Sequence, residues 1–309
     1  MSTDKRENMT FAERKKEFEL QIQNAETIAI SGHMNPDGDC IGSCLGLYTY
    51  IVEQYPEKQV TLLLEPVQEK FSFLKYADQI TQKKESTEPY DLFFSLDCSD
   101  TERLHEFKKY FEEAKYKICV DHHFTNQGFG DLQFIVPDAS STCEVLFSMF
   151  DWEKISLACA QDLYMGIVHD TGVFKHTNTT RKTMETAGAL LEKGIHSEDI
   201  IDRTFYKKSY VQNQILGRAL MESIVLLHGK VIFSIIRNRD FDFYGMDIFN
   251  HCENSSDVLM AFMGWANVHP LLKMIPVEWD YQIPYGLLHS PSPSEAVKKF
   301  LTAVQSIAN

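Results

Sequence analysis

The sequence lacks the features that mark several common protein classes. Its seven cysteines are scattered and no two are spaced as CxxC, so neither a zinc ribbon nor a disulfide framework is indicated. No apolar run approaches the roughly 18 residues that a membrane-spanning helix needs. Residues 1–20 are charged and lack the apolar centre of a signal peptide. We therefore expect no membrane contact and predict a cytoplasmic protein.

Positive charge is also in short supply. The chain has 30 lysines and arginines against 44 aspartates and glutamates, which gives a formal net charge of −14. A protein that binds long nucleic acid needs lysine and arginine to neutralise the phosphates, so this composition argues against such a partner. It is compatible with a small anionic substrate, because a bound divalent cation reverses the local field.

Apolar runs and helical patterns alternate along the first two thirds of the chain. Strands are predicted at 27–31, 59–64, 91–97, 116–121 and 131–136, and helices lie between them, as at 40–54 and 101–114. This alternation predicts an α/β fold with a mainly parallel sheet flanked by helices, followed by a smaller α/β domain. The domain bounds are predicted as 1–195, a helical linker at 196–222, and a C-terminal domain at 223–309.

Acidic and imidazole side chains follow three of these strands and one later helix, in "SGHMNPDGD", "FFSLDCSD", "ICVDHH" and "GIVHDTG". Each cluster alone is more simply a polar turn or a helix cap. Together they predict one site, because the carboxyl ends of parallel strands converge. Carboxylates with imidazoles suit Mn²⁺, and also Mg²⁺, Co²⁺ or Zn²⁺. A carboxylate bridging two such ions would allow two-metal activation of water. The residues concerned are His33, Asp37, Asp39, Asp97, Asp121, His122, His123 and Asp170.

These four motifs, in this order, resemble those of the DHH phosphoesterase superfamily. Over residues 25–210 the chain is similar to the bacterial nanoRNase and pAp phosphatase (NrnA-like) group, through "DHHFTNQGFGDLQFIVPDASSTCEVLF" and "GIVHDTGVFKHTNTTRKTMETAGALL". The resemblance implies two Mn²⁺ ions, for which Mg²⁺ or Co²⁺ could substitute. One would be held by His33 and Asp37, the other by Asp39, His122 and Asp170, with Asp97 bridging.

The resemblance also implies roles for residues beside the metal ligands. Asp121 would orient His122 or assist proton transfer, and His123 would contact the scissile phosphate or act as general acid. Ser140 and Ser141, with Thr142, would offer hydroxyl and N–H groups to a phosphate. Helix capping is at least as good a reading of those last three residues.

The C-terminal part departs from the family pattern. The group's glycine-rich "GGGH" loop is missing, and the nearest match is "YGLLHS", where Gly286 and His289 keep a Gly-x-x-His spacing. Arg237 could contact a phosphate, although a solvated strand end explains it more simply. From residue 240 onward there are eight acidic and three basic residues, a poor surface for an RNA strand. We expect an intact catalytic half and an altered substrate half.

The leading hypothesis is a Mn²⁺-dependent phosphoesterase that hydrolyses short oligoribonucleotides, dinucleotides or pAp, and that by resemblance forms a homodimer. Two alternatives stay open. A family II-like inorganic pyrophosphatase shares the first motif, although "ASST" and "NTT" point away from it. A nucleotide-binding module on a degenerate DHH fold would have no need of all six metal ligands. Comparing the hydrolysis of pyrophosphate and pAp separates the first alternative from the leading hypothesis.

Overall fold

In the computed structural model of the protein, residues 9–83, 88–223 and 234 are described in full. Four short strands, at 224–226, 231–233, 273–277 and 285–289, are described by their backbone. The chain divides into two units, residues 1–207 and 208–309, which are treated separately below. The linker predicted at 196–222 stays a prediction. Among the described residues, no helix is both long enough and apolar enough to cross a bilayer.

The first unit is built on a parallel sheet of six strands. The parallel sheet and five of its strands were predicted from the sequence, and β3 was not. The order of the six strands is β3-β2-β1-β4-β5-β6. The strand order therefore reverses between β1 and β4, and in open α/β sheets the crevice for ligands lies at such a switch point. The strands are β1 (Thr27–Ser31), β2 (Gln59–Leu63), β3 (Ile80–Thr81), β4 (Leu92–Leu96), β5 (Tyr116–Asp121) and β6 (Leu132–Ile135).

The sheet is covered on both faces because its strands are apolar on both faces. Along β4, all five residues are buried. Leu92 and Phe94 pack into the larger core cluster, whereas Phe93 packs into a smaller cluster with Leu104 and Phe111. Side chains that alternate between two apolar layers are typical of central parallel strands, and they predict helices on either side.

Helices of both units follow the predicted positions with shifted ends. They are α1 (Phe11–Asn24), α2 (Gly38–Gln54), α3 (Lys108–Glu113), α4 (Thr142–Met149), α5 (Leu157–Asp170), α6 (Arg181–Glu192), α7 (Ser197–Ile201) and, in the second unit, α8 (Tyr210–Met221). Short 3-10 turns lie at Glu69–Phe71, Ala77–Gln79, Thr101–Phe107 and Trp152–Lys154, and a π-helical turn at Asp202–Tyr206.

The helices α2 and α5 pack closely because glycine lines their contact. A Cβ added to Gly42 would lie 2.6 Å from the carbonyl oxygen of Asp162, and one added to Gly46 would lie 2.9 Å from a Leu163 methyl carbon. The two helices can approach each other this closely only because glycine has no side chain. It fixes the N-terminus of α2 relative to the C-terminus of α5, which are the two ends that bear acidic motifs.

Two predicted helices are interrupted. The helix predicted at 101–114 is a 3-10 segment that breaks at His105, where φ is 47°, and continues as α3. The helical pattern of residues 155–174 predicts a helix through Phe174, but α5 ends at Asp170, because Gly172, Val173 and Phe174 all have positive φ, at 55°, 58° and 61°. Gly172, directly after the C-cap Thr171, is a common helix-end signal, whereas left-handed backbone is costly for a β-branched residue such as valine.

The described part of the second unit contains two antiparallel strand pairs. The strand β7 (Ile224–Leu226) pairs with β8 (Val231–Phe233), and β9 (Lys273–Val277) pairs with β10 (Tyr285–His289). Residues 261–284 are apolar and aromatic and do not by their sequence predict a strand pair; β9 lies within this stretch, and its partner β10 follows it.

Candidate metal centre

The loop after β1 turns sharply before α2 begins. Asn35 has a φ of 53°, and Asp37 is the N-cap of α2, its carboxylate accepting hydrogen bonds from the backbone N–H groups of Asp39 (3.0 Å) and Cys40 (3.1 Å). The Nε2 atom of His33 lies 3.7 Å from an Asp37 oxygen. The carboxylate thus caps the helix and faces the histidine at once, so the two interpretations of this loop are compatible.

Asp97 lies at the centre of the crevice, directly after β4. Its Oδ2 atom is 3.5 Å from Nε2 of His33, and its Oδ1 atom is 3.7 Å from His122 Nε2 and 3.7 Å from His123 Nδ1. The residue is 2% exposed and has a φ of 56°. A left-handed backbone at a buried aspartate stores strain, and such strain concentrates at functional sites.

Asp39 is held by the start of another helix. Its two carboxylate oxygens accept hydrogen bonds from the N–H groups of Thr142 (2.7 Å) and Cys143 (3.1 Å), which open α4. The N-terminus of a helix stabilises a carboxylate in this way. Burial raises the pKa of Asp39 well above its usual value, and the charges of Asp97 and Asp170 raise it further.

His122 joins this carboxylate to the end of α5. Its Nε2 atom lies 3.4 Å from Asp170, 3.7 Å from Asp97 and 3.9 Å from Asp39. Its Nδ1 atom lies 3.4 Å from the carbonyl oxygen of Ala139, the contact that would fix Nε2 as the free nitrogen. Burial raises the pKa of Asp170 to about 7; His122 opposes this shift and Asp97 adds to it.

The donor set fits divalent cations. Three groups have donor atoms within 4.8 Å of one another: His33 with Cys40 and Asp97, Asp97 with His122 and His123, and Asp39 with His122 and Asp170. Among the described residues, the ion pairs of Asp39, Asp97 and Asp170 are with histidines and not with lysine or arginine. Carboxylates that raise one another's pKa are relieved by a cation, and oxygen with imidazole suits Mn²⁺ or Mg²⁺.

A second pair of residues lies beside this donor set. The Nδ1 atom of His123 is 2.7 Å from a carboxylate oxygen of Asp121, whose other oxygen accepts a 2.7 Å hydrogen bond from the Asn126 amide. The hydrogen bond with Asp121 raises the pKa of His123. Burial would raise the pKa of Asp121, but the hydrogen bond with His123 holds the pKa of this carboxyl below its usual value. The expectation that Asp121 orients His122 is therefore not met, since its histidine partner is His123.

The residues predicted to bind substrate have other described contacts. Ser141 is the N-cap of α4 and accepts a hydrogen bond from the N–H of Glu144. The backbone N–H and hydroxyl of Ser140 donate to the Glu144 carboxylate at 3.1 and 2.6 Å. Both serines are fully buried, and their described contacts are those of the capping interpretation. Arg237 lies outside the described residues, and His289 is described only as strand backbone paired with Lys273.

Three polar residues that hydrogen-bond to residues of the site were given no role from the sequence. Asn126 fixes Asp121, and the Asn178 amide donates to the carbonyl oxygens of Ser140 (2.9 Å) and Asp170 (3.2 Å). Glu144 also accepts a 2.8 Å hydrogen bond from Thr183 on α6. All three lie inside the quoted motifs. A spacing pattern does not distinguish a ligand from a residue that supports one.

Parts of the chain are similar in sequence to known proteins. Residues 27–167 match the DHH family, N-terminal domain. The chain is 31% identical over 202 residues to the bifunctional oligoribonuclease and PAP phosphatase NrnA of Bacillus subtilis, covering 63% of this chain and 62% of that protein. It is 33% identical over 178 residues to the probable bifunctional oligoribonuclease and PAP phosphatase NrnA of Streptococcus mutans, covering 56% and 54%. The matched region is thus less than two thirds of either relative.

Among solved structures, the chain is similar to an exopolyphosphatase-related protein from Bacteroides fragilis. The TM-score is 0.71 at 24% sequence identity, over 77% of this chain and 74% of that one. At this identity the similarity establishes the fold. It agrees with the α/β architecture and the six-stranded parallel sheet described above.

Proposed function

We propose that the chain, whose residues 27–167 match the DHH family, N-terminal domain, is a metal-dependent phosphoesterase that hydrolyses short oligoribonucleotides, dinucleotides or pAp. The observation that carries this proposal is the convergence on Asp97, around which residues from four separate motifs are linked by histidine–carboxylate distances of 3.4–3.9 Å. The names of the two NrnA relatives support the same class of substrate.

The proposal assigns the ligands in two groups that share Asp97. His33 and Asp37 would hold one ion, and Asp39, His122 and Asp170 would hold the other; oxygen and imidazole donors of this kind suit Mn²⁺. When bound, such ions would stabilise charge on the phosphoryl oxygens and lower the pKa of water. The hydrogen bonds from the N–H groups of Thr142 and Cys143 orient the carboxylate of Asp39.

His123 is suited to deliver a proton to the leaving oxygen. Its Nδ1 atom is hydrogen-bonded to Asp121, so Nε2 is the nitrogen that remains for the substrate. The residue is 41% exposed, whereas Asp121 behind it is fully buried. The hydrogen bond that raises the pKa of His123 favours its protonated form, which is the form a general acid needs. Asn126 would act through Asp121 as a positioning residue.

The test compares hydrolysis by the full chain with that of two variants. The metal-free protein is supplied with Mn²⁺ and offered pAp, RNA dimers to pentamers, and pyrophosphate. We expect release of phosphate or mononucleotide from the first two substrates. Asp97→Asn and His122→Ala should each lower this rate by more than about a hundredfold, since each removes a ligand.

The matched controls are Asp199→Ala and His196→Ala in the same unit. These side chains are 62% and 81% exposed, and neither belongs to a donor group. Both variants should keep full activity. Unchanged hydrolysis in Asp97→Asn would contradict the proposed site. Hydrolysis of pyrophosphate alone would favour the pyrophosphatase alternative, and nucleotide binding without turnover would favour the binding module.

A further inference from the structure

A cysteine thiol lies among the ligands of the first proposed ion. The Sγ atom of Cys40, a histidine nitrogen of His33 and a carboxylate oxygen of Asp97 all lie within 4.8 Å of one another. All three residues are buried, and Cys40 is fully so. Because bulk water does not reach the sulfur, it does not compete there as a ligand.

The thiol is held in this position by the backbone around it. A Cβ added to Gly32 would lie 2.2 Å from the Cys40 sulfur, so the sulfur occupies the space that the missing side chain leaves at the end of β1. Its hydrogen bond to the His33 carbonyl is long, at 3.9 Å, and it has a second hydrogen bond with the Cys44 thiol. A thiol is a weak donor and a weak acceptor, so these bonds compete little with a cation for the sulfur.

We propose that Cys40 is a further ligand of the ion held by His33 and Asp97, which makes this position selective for a thiolate-binding divalent cation such as Zn²⁺, Co²⁺ or Fe²⁺. On binding, the S–H proton leaves to solvent and a sulfur–metal bond forms, with no change in oxidation state. The inference deepens the proposed function by naming the cation class at one of its two metal positions.

The two positions then differ in chemistry. The group of Asp39, His122 and Asp170 offers only oxygen and nitrogen donors, the set that suits Mn²⁺ or Mg²⁺. The group with Cys40 adds sulfur, which binds softer cations more strongly. Cys143 does not extend the sulfur set, because it belongs to none of the three donor groups. We therefore expect a centre that takes two different cations.

Cobalt spectroscopy tests this assignment without reference to hydrolysis. The metal-free full chain is titrated with Co²⁺, whose visible bands report binding and whose near-ultraviolet charge-transfer band reports a Co–thiolate bond. We expect the charge-transfer band to saturate with one equivalent of Co²⁺ while the visible bands continue to grow with the second. Cys40→Ala should lose the charge-transfer band and keep the visible bands.

Cys44→Ala is the matched control. Cys44 is one turn further along α2, is equally buried, and is in none of the three donor groups. Its variant should keep the charge-transfer band. A wild-type protein that binds Co²⁺ without this band, or that binds no Co²⁺, would overturn the inference, as would a band that survives in Cys40→Ala. Cys40→Ser replaces Cys40→Ala if the latter does not fold, as judged by circular dichroism.

Competition between cations gives a second measurement. In Cys40→Ala, the preference for Zn²⁺ over Mn²⁺ should fall by about tenfold or more, because only the softer cation gains from sulfur. Cys44→Ala should leave this ratio unchanged, and an unchanged ratio in Cys40→Ala would also contradict the inference. Hydrolysis that persists without a charge-transfer band would overturn this assignment alone. A band in a protein that hydrolyses none of the substrates would overturn the proposed function alone.

Discussion

Asp39 and Asp162 are both buried carboxylates of the first unit, and their surroundings differ. Asp39 in the strand-end crevice is 1% exposed and has two N–H donors, a histidine and two further aspartates around it. Asp162, in the contact between α2 and α5, is also 1% exposed, but its described hydrogen bond is a single one from the Thr49 hydroxyl at 3.1 Å. Its Oδ1 atom has no hydrogen-bond partner.

The comparison shows that burial alone does not make a site. Burial raises the pKa of both carboxyls well above the usual value. For Asp162 the simplest response is to keep its proton, because burial outweighs the opposing charge of Lys75. Asp39 lies in a cluster of like charges that a cation would neutralise. A bound proton neutralises Asp162, whereas a bound cation would neutralise the cluster around Asp39.

Adding a divalent cation should separate the two cases most strongly. An ion at about a hundred times its dissociation constant stabilises a protein by about 2.7 kcal/mol, which corresponds to a rise in Tm of roughly 5–10 °C. We expect such a rise with Mn²⁺ by differential scanning fluorimetry. Asp97→Asn should abolish the rise, and Asp162→Asn should retain it. Asparagine tolerates the left-handed backbone at position 97, so this variant should stay folded. An equal rise in all three proteins would contradict the site.

Pushing the two helices apart should have the next largest effect. In Gly42→Ala, the new Cβ would meet backbone atoms of α5, at 2.6 Å from the oxygen of Asp162 and 3.0 Å from the nitrogen of Gly166. Backbone cannot move aside as a side chain can, so we expect a loss of about 1–3 kcal/mol in the free energy of unfolding. Affinity for Mn²⁺ should fall as well, because α2 and α5 carry Asp39 and Asp170.

The control for this variant is Gly188→Ala on α6, where a Cβ meets nothing within 4 Å. Alanine is favoured over glycine in a helix interior by about 0.5–1 kcal/mol, so this variant should gain stability. Urea unfolding of both variants measures the difference. A Gly42→Ala protein as stable as Gly188→Ala would mean that the helices are less closely packed than described.

Replacing the isolated acid should have the smallest effect. The folded-state pKa of Asp162 is raised, so above the ordinary carboxyl value of 3.8 the folded state binds more protons than the unfolded state. Stability therefore falls as pH rises through the interval between the two pKa values. Asp162→Asn should remove this loss and gain on the order of 1 kcal/mol at pH 7. At pH 3 the two proteins should differ little, and a pH series of urea midpoints checks this. A gain independent of pH would contradict a raised pKa.

The sheet and its strand-end carboxylates could be predicted because their signals are local. The strands at 27–31 and 116–121 were predicted to the residue, since each is a short apolar run bounded by polar residues. The grouping of His33, Asp97 and His122 followed from one rule about where parallel strands end, and Asp170 joined it from the motif at the end of a later helix. No comparable rule covers the break at His105 or the left-handed backbone of Val173 and Phe174.

The support of the site was also out of reach of the sequence. Whether Asp121 contacts His122 or His123 depends on how the chain turns after β5, and alternating spacing favours neither. The bond between Asp39 and Thr142 joins residues 103 positions apart. Contacts of that range are set by the assembled fold. The sequence therefore predicted which side chains would gather and missed which groups would hold them.

The hydrogen bond between Thr142 and Asp39 can form only late in the synthesis of this unit. Asp39 leaves the ribosome long before Thr142 and Cys143, the two residues whose N–H groups accommodate its carboxylate. Until these two residues emerge, the carboxylate of Asp39 lacks its N–H donors, and burying it would cost free energy, so it stays hydrated. Domains emerge and fold from their N-termini. On the proposed ligand assignment, the metal centre would therefore be complete only after α4 and α5 have emerged.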